Sequence, residues 1–280
     1  MLGAIIGDII GSRWEFYPTN NYNFPLFSAQ NSFTDDTICT IAVADAILHG
    51  SDNYGKYIHA WCRKYPHPMG GYGGRFAAWV MSDHPQPYGS FGNGSAMRVS
   101  PVGWWFKTPD ELSAQARKTA ECTHNHEEGI KGAIAVAWAI NGCRELRQAS
   151  QGKTISKEDI LQKALLQAVG LYAASPLDFQ LDLTEYVNKF DETCQGTVPV
   201  ALWIVLNSTD FEDALRKSVA LGADADTLGA ITGSIAEALW GIPDWMEKKA
   251  LFYLPDEMKK ILHRFQQCYH AKERTYKACM

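Results

Sequence analysis

The chain has no CxxC pair, no block of basic residues, no uninterrupted apolar run of membrane-spanning length and no serine framed as GxSxG. Each absence removes a class of function. Seven cysteines, at positions 39, 62, 122, 143, 194, 268 and 279, form no framework of even count. Free thiols in a reducing cytosol are the simplest reading, and a cytoplasmic location is expected. A net charge of −5 without a basic block argues against a broad, non-specific nucleic-acid surface, although a local contact stays open. The opening run MLGAIIGDIIGSRWEF has no basic region ahead of it and is interrupted by Asp8, so neither a signal peptide nor a membrane span is expected. The missing GxSxG removes the sequence sign of a serine nucleophile elbow. No low-complexity linker divides the chain, and strand signals are sparse.

What is present is mostly helical. Hydrophobic residues make up 46% of the 280 positions, enough for a sizeable core. Thr108 stands three residues before Glu111, with Pro109 between them, which predicts a capping box opening a helix over 108–121. Apolar residues at helical spacing predict helices over 129–147, after Ser156, and from 255 to about 271. Thr209 and Glu212 read as a second capping box. PVALWIVL (199–206) is ambiguous by period, and its length and helical neighbours favour a buried helix. Residues 1–280 therefore read as one all-α domain. The exception to helical order is 66–103, rich in Gly and Pro, with a short helix expected at 75–82. Irregular stretches of that length in compact domains are commonly functional.

Small residues recur every four positions: Gly3, Gly7 and Gly11 early, Gly229 and Gly233 late. Glycine inside a helix costs about 1 kcal/mol against alanine, and close backbone packing is the physical reason to accept that cost.

Two stretches echo each other. In FTDDTICTIAVADAILHG (33–50) and GADADTLGAITGSIAEALWG (222–241), Asp36-Thr37 aligns with Asp226-Thr227, Ile38 with Leu228, and Ile41 with Ile231. Capping needs one such residue per helix, supplied by Thr34 or Asp35 in the first and by Asp224 or Asp226 in the second. The supply exceeds that need, and adjacent carboxylates repel unless a cation neutralises them. Carboxylate and hydroxyl oxygens suit Mg²⁺, Mn²⁺ or Ca²⁺ rather than Zn²⁺. If the two helix mouths meet, their aspartates can hold two ions. Asp8 and Glu15 add acids expected on one helical face, two turns apart, with Ser12 between them. Asp8, set in an apolar run, is expected buried with a partner. Glu15, between Trp14 and Phe16, is placed to act as acid or base.

FGNGSAMR (91–98) is the best anion-site candidate. Gly92 and Gly94 allow a nest of backbone N–H groups, and Arg98 allows a phosphate contact. Tyr72 with the glycine pair 73–74 offers an aromatic surface and room for a base or ribose. Cys122, His124 and His126 alternate without a second pair of matching spacing, so a polar wall or a helix N-terminus is a better reading for them than zinc.

Together, GAIIGDIIGSRWEF, FTDDT, GYGGRF, GNGSAMRVSPVG and GADADTLGAITGSIAEALWG resemble, in this order, the ADP-ribosylglycohydrolase family. The resemblance implies an all-α orthogonal helical bundle with a binuclear magnesium cleft. It implies metal positions at Thr34, Asp35, Asp36, Asp224, Asp226 and Thr227, and an acid/base role at Glu15 with Asp35 or Asp36. It also implies a diphosphate loop at Gly92, Asn93, Gly94, Ser95 and Met97, followed by Arg98, with His124 at the ligand edge and Tyr72 and Gly74 near the adenosine or ribose. GDIIG stands where GDALG is frequent in the family, and GADADT where GGDTDT is; the metal-bearing positions are kept in both.

The implied activity is metal-dependent hydrolysis at the anomeric carbon of an ADP-ribosylated acceptor, such as a protein arginine or serine, releasing ADP-ribose. Two Mg²⁺ ions are implied, with Mn²⁺ as the alternative. The acceptor is open, a nucleic-acid base included. The rival readings are a non-catalytic ADP-ribose-binding or structural relative and a Mg²⁺-dependent phosphomonoester hydrolase.

Overall fold

The computed structural model describes residues 1–278. It is an all-α single-domain bundle, and among the described residues the extended backbone pairs only once, as an isolated bridge between Gly92 and Thr193. The first half contains α1 (Leu2–Gly11), α2 (Asp35–Leu48), α3 (Tyr54–Lys64), α4 (Gly74–Met81), α5 (Gly94–Met97), α6 (Ser100–Trp105), α7 (Pro109–Glu121) and α8 (Glu127–Ser150). The second contains α9 (Lys157–Asp159), α10 (Leu166–Gly170), α11 (Cys194–Leu206), α12 (Phe211–Ala220), α13 (Ala225–Trp240), α14 (Asp244–Ala250) and α15 (Asp256–Ala278). Two helices act as hubs: α8 touches α5, α6, α7, α10, α11 and α13, and α13 also meets α1, α2 and α12. Every residue of α1 is buried, as expected of a helix that is apolar nearly all round.

The caps follow local chemistry. Thr108 caps α7 through the Glu111 N–H, as its spacing predicts. Ser156 caps α9 through the Asp159 N–H. The helix expected after Ser156 is not one regular α-helix. It passes through a π-helical stretch, Ile160–Leu165, before α10, and there Ala164 packs directly on Gly142 of α8.

The cap of α12 lies one residue later than Thr209-Glu212 predicts. Asp210 accepts from the Asp213 N–H at 2.9 Å, and the Asp213 carboxylate accepts from the Thr209 N–H at 2.9 Å. Aspartate caps at least as well as threonine, and this register seats Phe211 in the core. The segment 199–206 belongs to a helix that starts earlier, at Cys194. The six described cysteines are free; Cys279 lies outside the described residues.

The small-residue spacing has a direct consequence. Helices α1 and α13 run antiparallel with their backbones touching. A Cβ on Gly3 would lie 2.3 Å from the Gly233 carbonyl oxygen, one on Gly7 2.0 Å from that of Gly229, and one on Gly11 2.2 Å from that of Ala225. No side chain fits at these points, so register and distance are fixed together. Gly7→Ala is therefore expected to destabilise the fold by about 3 kcal/mol or more, lowering the thermal midpoint by several degrees. Gly74→Ala, whose added Cβ meets nothing within 4 Å, is the control and should leave the midpoint within about 2 °C. Equal midpoints for the two variants in a thermal melt would refute the backbone contact.

Candidate functional site

Asp8 joins α1 to the mouth of α2. Its Oδ2 accepts from the Thr34 N–H at 3.0 Å, the Thr37 N–H at 3.1 Å and the Thr37 hydroxyl. Burial pushes its carboxyl up to about 6, and those hydrogen bonds restrain the rise. Thr37 is thus engaged by Asp8, whereas its counterpart Thr227 donates to Asp36 Oδ2 at 3.2 Å. The aligned threonines have different duties, and the Thr227–Asp36 bond shows that the two helix mouths meet. Thr34 is the cap of α2, its hydroxyl accepting from the Asp36 N–H at 3.2 Å. Asp224 flanks α13 without a side-chain cap bond; its Oδ2 accepts from the Asn93 amide at 2.7 Å.

Glu15 does not share a helical face with Asp8, because α1 ends at Gly11. The chain tightens there, with the Trp14 N–H bonding the Gly11 carbonyl at 2.7 Å, and Glu15 turns toward α13. One oxygen each from Glu15, Asp224 and Asp226 lie within 4.8 Å of one another. Burial is the first cause of each upward shift here. Glu15 is raised to about 7, with Asp224 adding repulsion, and Asp35 to about 8, with Asp8 and Glu15 adding theirs. Asp36 and Asp226 are raised well above the carboxylate range and Asp224 is raised too.

These carboxylates fit a divalent cation. Asp8 Oδ1, Glu15 Oε2 and Asp36 Oδ1 are buried without a hydrogen-bond partner. None of the ion pairs among the described residues involves Asp8, Glu15, Asp35, Asp36, Asp224 or Asp226. Oxygen donors without cationic partners suit a hard ion. The zinc alternative has no such geometry: His126 caps α8 by accepting from the Glu128 N–H at 3.1 Å, and the Cys122 thiol bonds the Thr119 carbonyl.

The acids floor a cavity of about 520 Å³, within the range of a nucleotide-sized ligand. Asp35, Asp36, Asp224, Asp226, Thr227 and Glu15 line it, as do Tyr72, Gly74, Gly92, Asn93, Gly94, Met97, Arg98 and His124. Thr34 and Ser95 lie behind its surface, the Ser95 hydroxyl bonding the Gly129 carbonyl at 2.7 Å. Gly92 and Gly94 do not adopt left-handed backbone. Their value is space, since a Cβ on Gly94 would stand 3.1 Å from His124 Nε2. Arg98 directs a guanidinium N–H₂ into the wall, at 2.8 Å from the Thr119 carbonyl and 2.7 Å from the Thr123 hydroxyl. His124 is held far below its ordinary range, first by burial and then by the charges of Arg98 and Arg75, so its imidazole is neutral. The Tyr72 hydroxyl bonds the Tyr65 carbonyl at 2.7 Å, leaving its ring to the cavity.

Several lining residues escaped the sequence reading. Gly70, at φ +77°, sits against Glu15, where a Cβ would lie 2.5 Å from Oε2; the repeated GG of MGGYGG was its only signal. Phe16 closes GAIIGDIIGSRWEF and Arg75 lies in GYGGRF, but neither was given a role there; Tyr88 lies in the irregular 66–103 segment, and Phe190 and Glu192 belong to no recognisable motif.

A helical bundle with an acidic, cation-suited floor beneath a nucleotide-sized cleft defines the class of molecule. The sequence model of the ADP-ribosylglycohydrolase family matches residues 1–278, and the chain belongs to that family. ADP-ribosylarginine hydrolase Tri1 of Pseudomonas putida is 27% identical, the alignment covering 89% of this chain and 73% of that one. ADP-ribosylhydrolase ARH3 of Danio rerio is 25% identical, over 86% of this chain and 82% of its own. A solved structure described as an ADP-ribosylglycohydrolase-related protein complex superposes with a TM-score of 0.63 at 23% identity, over 95% of both chains, and shows the same fold. No described helix is long and apolar enough to cross a membrane.

Raised carboxyls set a sign for pH dependence. Protonated acids are favoured in the folded state, so their stabilising effect is full below about pH 4 and lost as pH rises through the folded values of about 7 for Glu15 and about 8 for Asp35. A cation offsets the loss. Added Mg²⁺ or Mn²⁺ should raise the thermal midpoint more at about pH 8 than at about pH 5. An equal shift at both pH values, measured by differential scanning fluorimetry, would remove the cation from this cluster.

Proposed function

We propose that this protein is a divalent-cation-dependent hydrolase that removes ADP-ribose from a modified acceptor, residues 1–280 acting as one domain. The convergence of Glu15, Asp224 and Asp226 beneath the cleft carries this reading. Membership of the family and the names of the relatives, an ADP-ribosylarginine hydrolase and an ADP-ribosylhydrolase, support an ADP-ribosylated protein or similar acceptor as substrate and ADP-ribose as product. Six free cysteines support a cytoplasmic location.

Asp35, Asp36, Asp224 and Asp226, with the hydroxyls of Thr34 and Thr227, would hold two Mg²⁺ ions, or Mn²⁺ in their place. Such ions supply Lewis-acid stabilisation of developing charge and a lowered pKa of water. The rest falls to the chain's own groups. Tyr72, Gly74 and His124 shape the wall for the adenosine and ribose, and Gly92 to Met97, with Arg98 behind them, form the wall for the diphosphate. Glu15, raised to about 7, can hold or release a proton near neutrality. Its carboxylate, which lines the cleft, would with the aid of Asp35 or Asp36 take a proton from the attacking water and return it to the leaving acceptor atom. The bond from the anomeric carbon to the acceptor breaks, the water oxygen joins that carbon, and the acceptor leaves protonated.

Incubation with arginine- and serine-linked ADP-ribosyl proteins, ADP-ribosylated DNA and Mg²⁺ is expected to yield free ADP-ribose from at least one substrate. Asp35→Ala and Asp226→Ala should each slow release by about 100-fold or more. Release that survives both substitutions would sink the metal assignment. Inorganic phosphate as product would instead mark a phosphomonoester hydrolase, and ADP-ribose binding without turnover on any acceptor a binding protein.

A further inference from the structure

Arg98 is buried to 1% exposure, and among the described residues no carboxylate forms an ion pair with it. A buried cation without a counter-charge is costly, and good hydrogen bonds are what offset that cost. Nη2 of Arg98 makes two, to the Thr119 carbonyl at 2.8 Å and to Thr123 Oγ1 at 2.7 Å. Thr123 is itself fully buried, and its Oγ1 stands 2.7 Å from His124 Nδ1. Three side chains thus form a line from the interior to the cleft: Arg98, Thr123 and His124.

Donor chemistry sets the direction of each bond. A guanidinium donates and never accepts, so Thr123 Oγ1 is the acceptor in its bond with Arg98. The hydroxyl proton is then free for His124 Nδ1, and Thr123 Oγ1 has no other hydrogen-bond partner among the described residues. A nitrogen that accepts carries no proton, so a neutral imidazole bound in this way holds its proton on Nε2. Burial, then Arg98 and Arg75, keep this imidazole neutral. Its backbone is pinned on both sides. The His124 N–H bonds the Ala120 carbonyl at 2.7 Å, and the Thr123 carbonyl accepts from the Tyr88 and Ser90 N–H groups at 3.3 and 3.4 Å. Nε2 faces the glycine loop: a Cβ on Gly94 would stand 3.1 Å from it and one on Gly92 3.5 Å. No described residue hydrogen-bonds Nε2, and His124 lines the cleft.

We propose that Arg98 and Thr123 are positioning residues that fix His124 as its Nε2–H tautomer, an uncharged donor aimed at an anionic oxygen of the ligand beside Gly92 and Gly94. This rests on the hydrolase reading above, and it gives Arg98 a duty other than direct contact with phosphate. With the proton on Nδ1 instead, Nε2 would present a lone pair to that oxygen, and repulsion would replace a hydrogen bond. Thr123 alone does not decide between the two, because a hydroxyl accepts from Nδ1–H as readily as it donates to Nδ1. Arg98 tips the choice by filling an acceptor site of the hydroxyl and polarising its O–H toward the ring. The permanent charge stays one side chain behind the surface, and the ligand meets a fixed, neutral N–H.

Nitrogen-15 NMR of histidine-labelled protein without ligand reads the tautomer directly. Eight histidines share the spectrum, and His124→Gln assigns the signal. Wild-type His124 is expected to carry its proton on Nε2 at neutral pH. Thr123→Val, which keeps the shape and removes the hydroxyl, and Arg98→Met, which removes the guanidinium, should each give a mixture of tautomers. Calorimetric titration with ADP-ribose and Mg²⁺ should show both binding about 5- to 50-fold more weakly than wild type. Thr123→Ser should restore the signal, and the affinity to within about twofold. A wild-type proton on Nδ1 overturns the relay, and that measurement decides even where a deletion variant fails to fold. So does a Thr123→Ser protein as weak as Thr123→Val. Lost affinity in Arg98→Met with the Nε2–H signal intact also overturns it and returns Arg98 to the phosphate. A wild-type protein that shows the Nε2–H signal yet binds no ADP-ribose overturns the hydrolase reading, a distinct result because the signal is read without ligand.

Discussion

The direct backbone contact between α1 and α13 is the constraint on which the site depends. Three positions on each helix, spaced by four, meet in antiparallel register: Gly3 with Gly233, Gly7 with Gly229, and Gly11 with Ala225. With no side chain between them the helices cannot slide without collision. The C-terminal end of α1 is therefore locked against the N-terminal end of α13, and the turn after Gly11 places Glu15 beside Asp224 and Asp226. A longer side chain at any of these glycines would separate the helices and scatter the acids by ångströms, which is enough to dissolve a cation site.

That lock creates an electrostatic liability, and the structure meets part of it. Acids gathered and buried with no basic partner favour their neutral forms, which is why burial is the first cause of every upward shift in the cluster. The N-terminus of α2 provides partial compensation, its backbone N–H groups giving Asp8 two of its three hydrogen bonds. Thr227 and Asn93 add one bond each, to Asp36 and Asp224. Unpartnered oxygens remain on Asp8, Glu15 and Asp36. An inert capping arrangement would satisfy its own polar atoms; this one leaves buried carboxylate oxygens for something cationic.

Local signals made much of this legible from the sequence. Period and capping chemistry placed most helices, and the echo of Asp36-Thr37 in Asp226-Thr227 predicted that two distant helix mouths meet. Sequence echo has limits, though, because it equates positions that packing then distinguishes. Thr37 and Thr227 occupy the same place in the echo, yet one binds Asp8 and the other Asp36, since Asp8 on α1 reaches into the first mouth and Asp36 reaches across to the second. The expected helical face shared by Asp8 and Glu15 failed because α1 stops at Gly11, and nothing local announces that stop. The glycines of GNG were read for backbone conformation, but they serve by making room for His124, a partner about 30 residues away that only the fold supplies. Phe190 and Glu192 stayed invisible for the same reason: Phe190 gains its place from a segment pinned to the turn before α13 through Asn188, and Glu192 from its carbonyl, which accepts from the Asn93 N–H at 2.7 Å.

The same turn thus has two duties. Through Asp224 it sets the floor where charge is concentrated, and through Asn20, Asn188 and Gly222 it holds the rim. Fixing floor and rim to one short segment keeps the distance between the buried carboxylates and the Phe16–Phe190 stack nearly constant, even though the rim is built from irregular chain. A rim hung on independent loops would let anything it holds move relative to the carboxylates, and a displacement of about 1 Å at a reacting centre can cost two orders of magnitude in rate. Backbone contact between α1 and α13 anchors the floor, and the turn passes that rigidity to the rim.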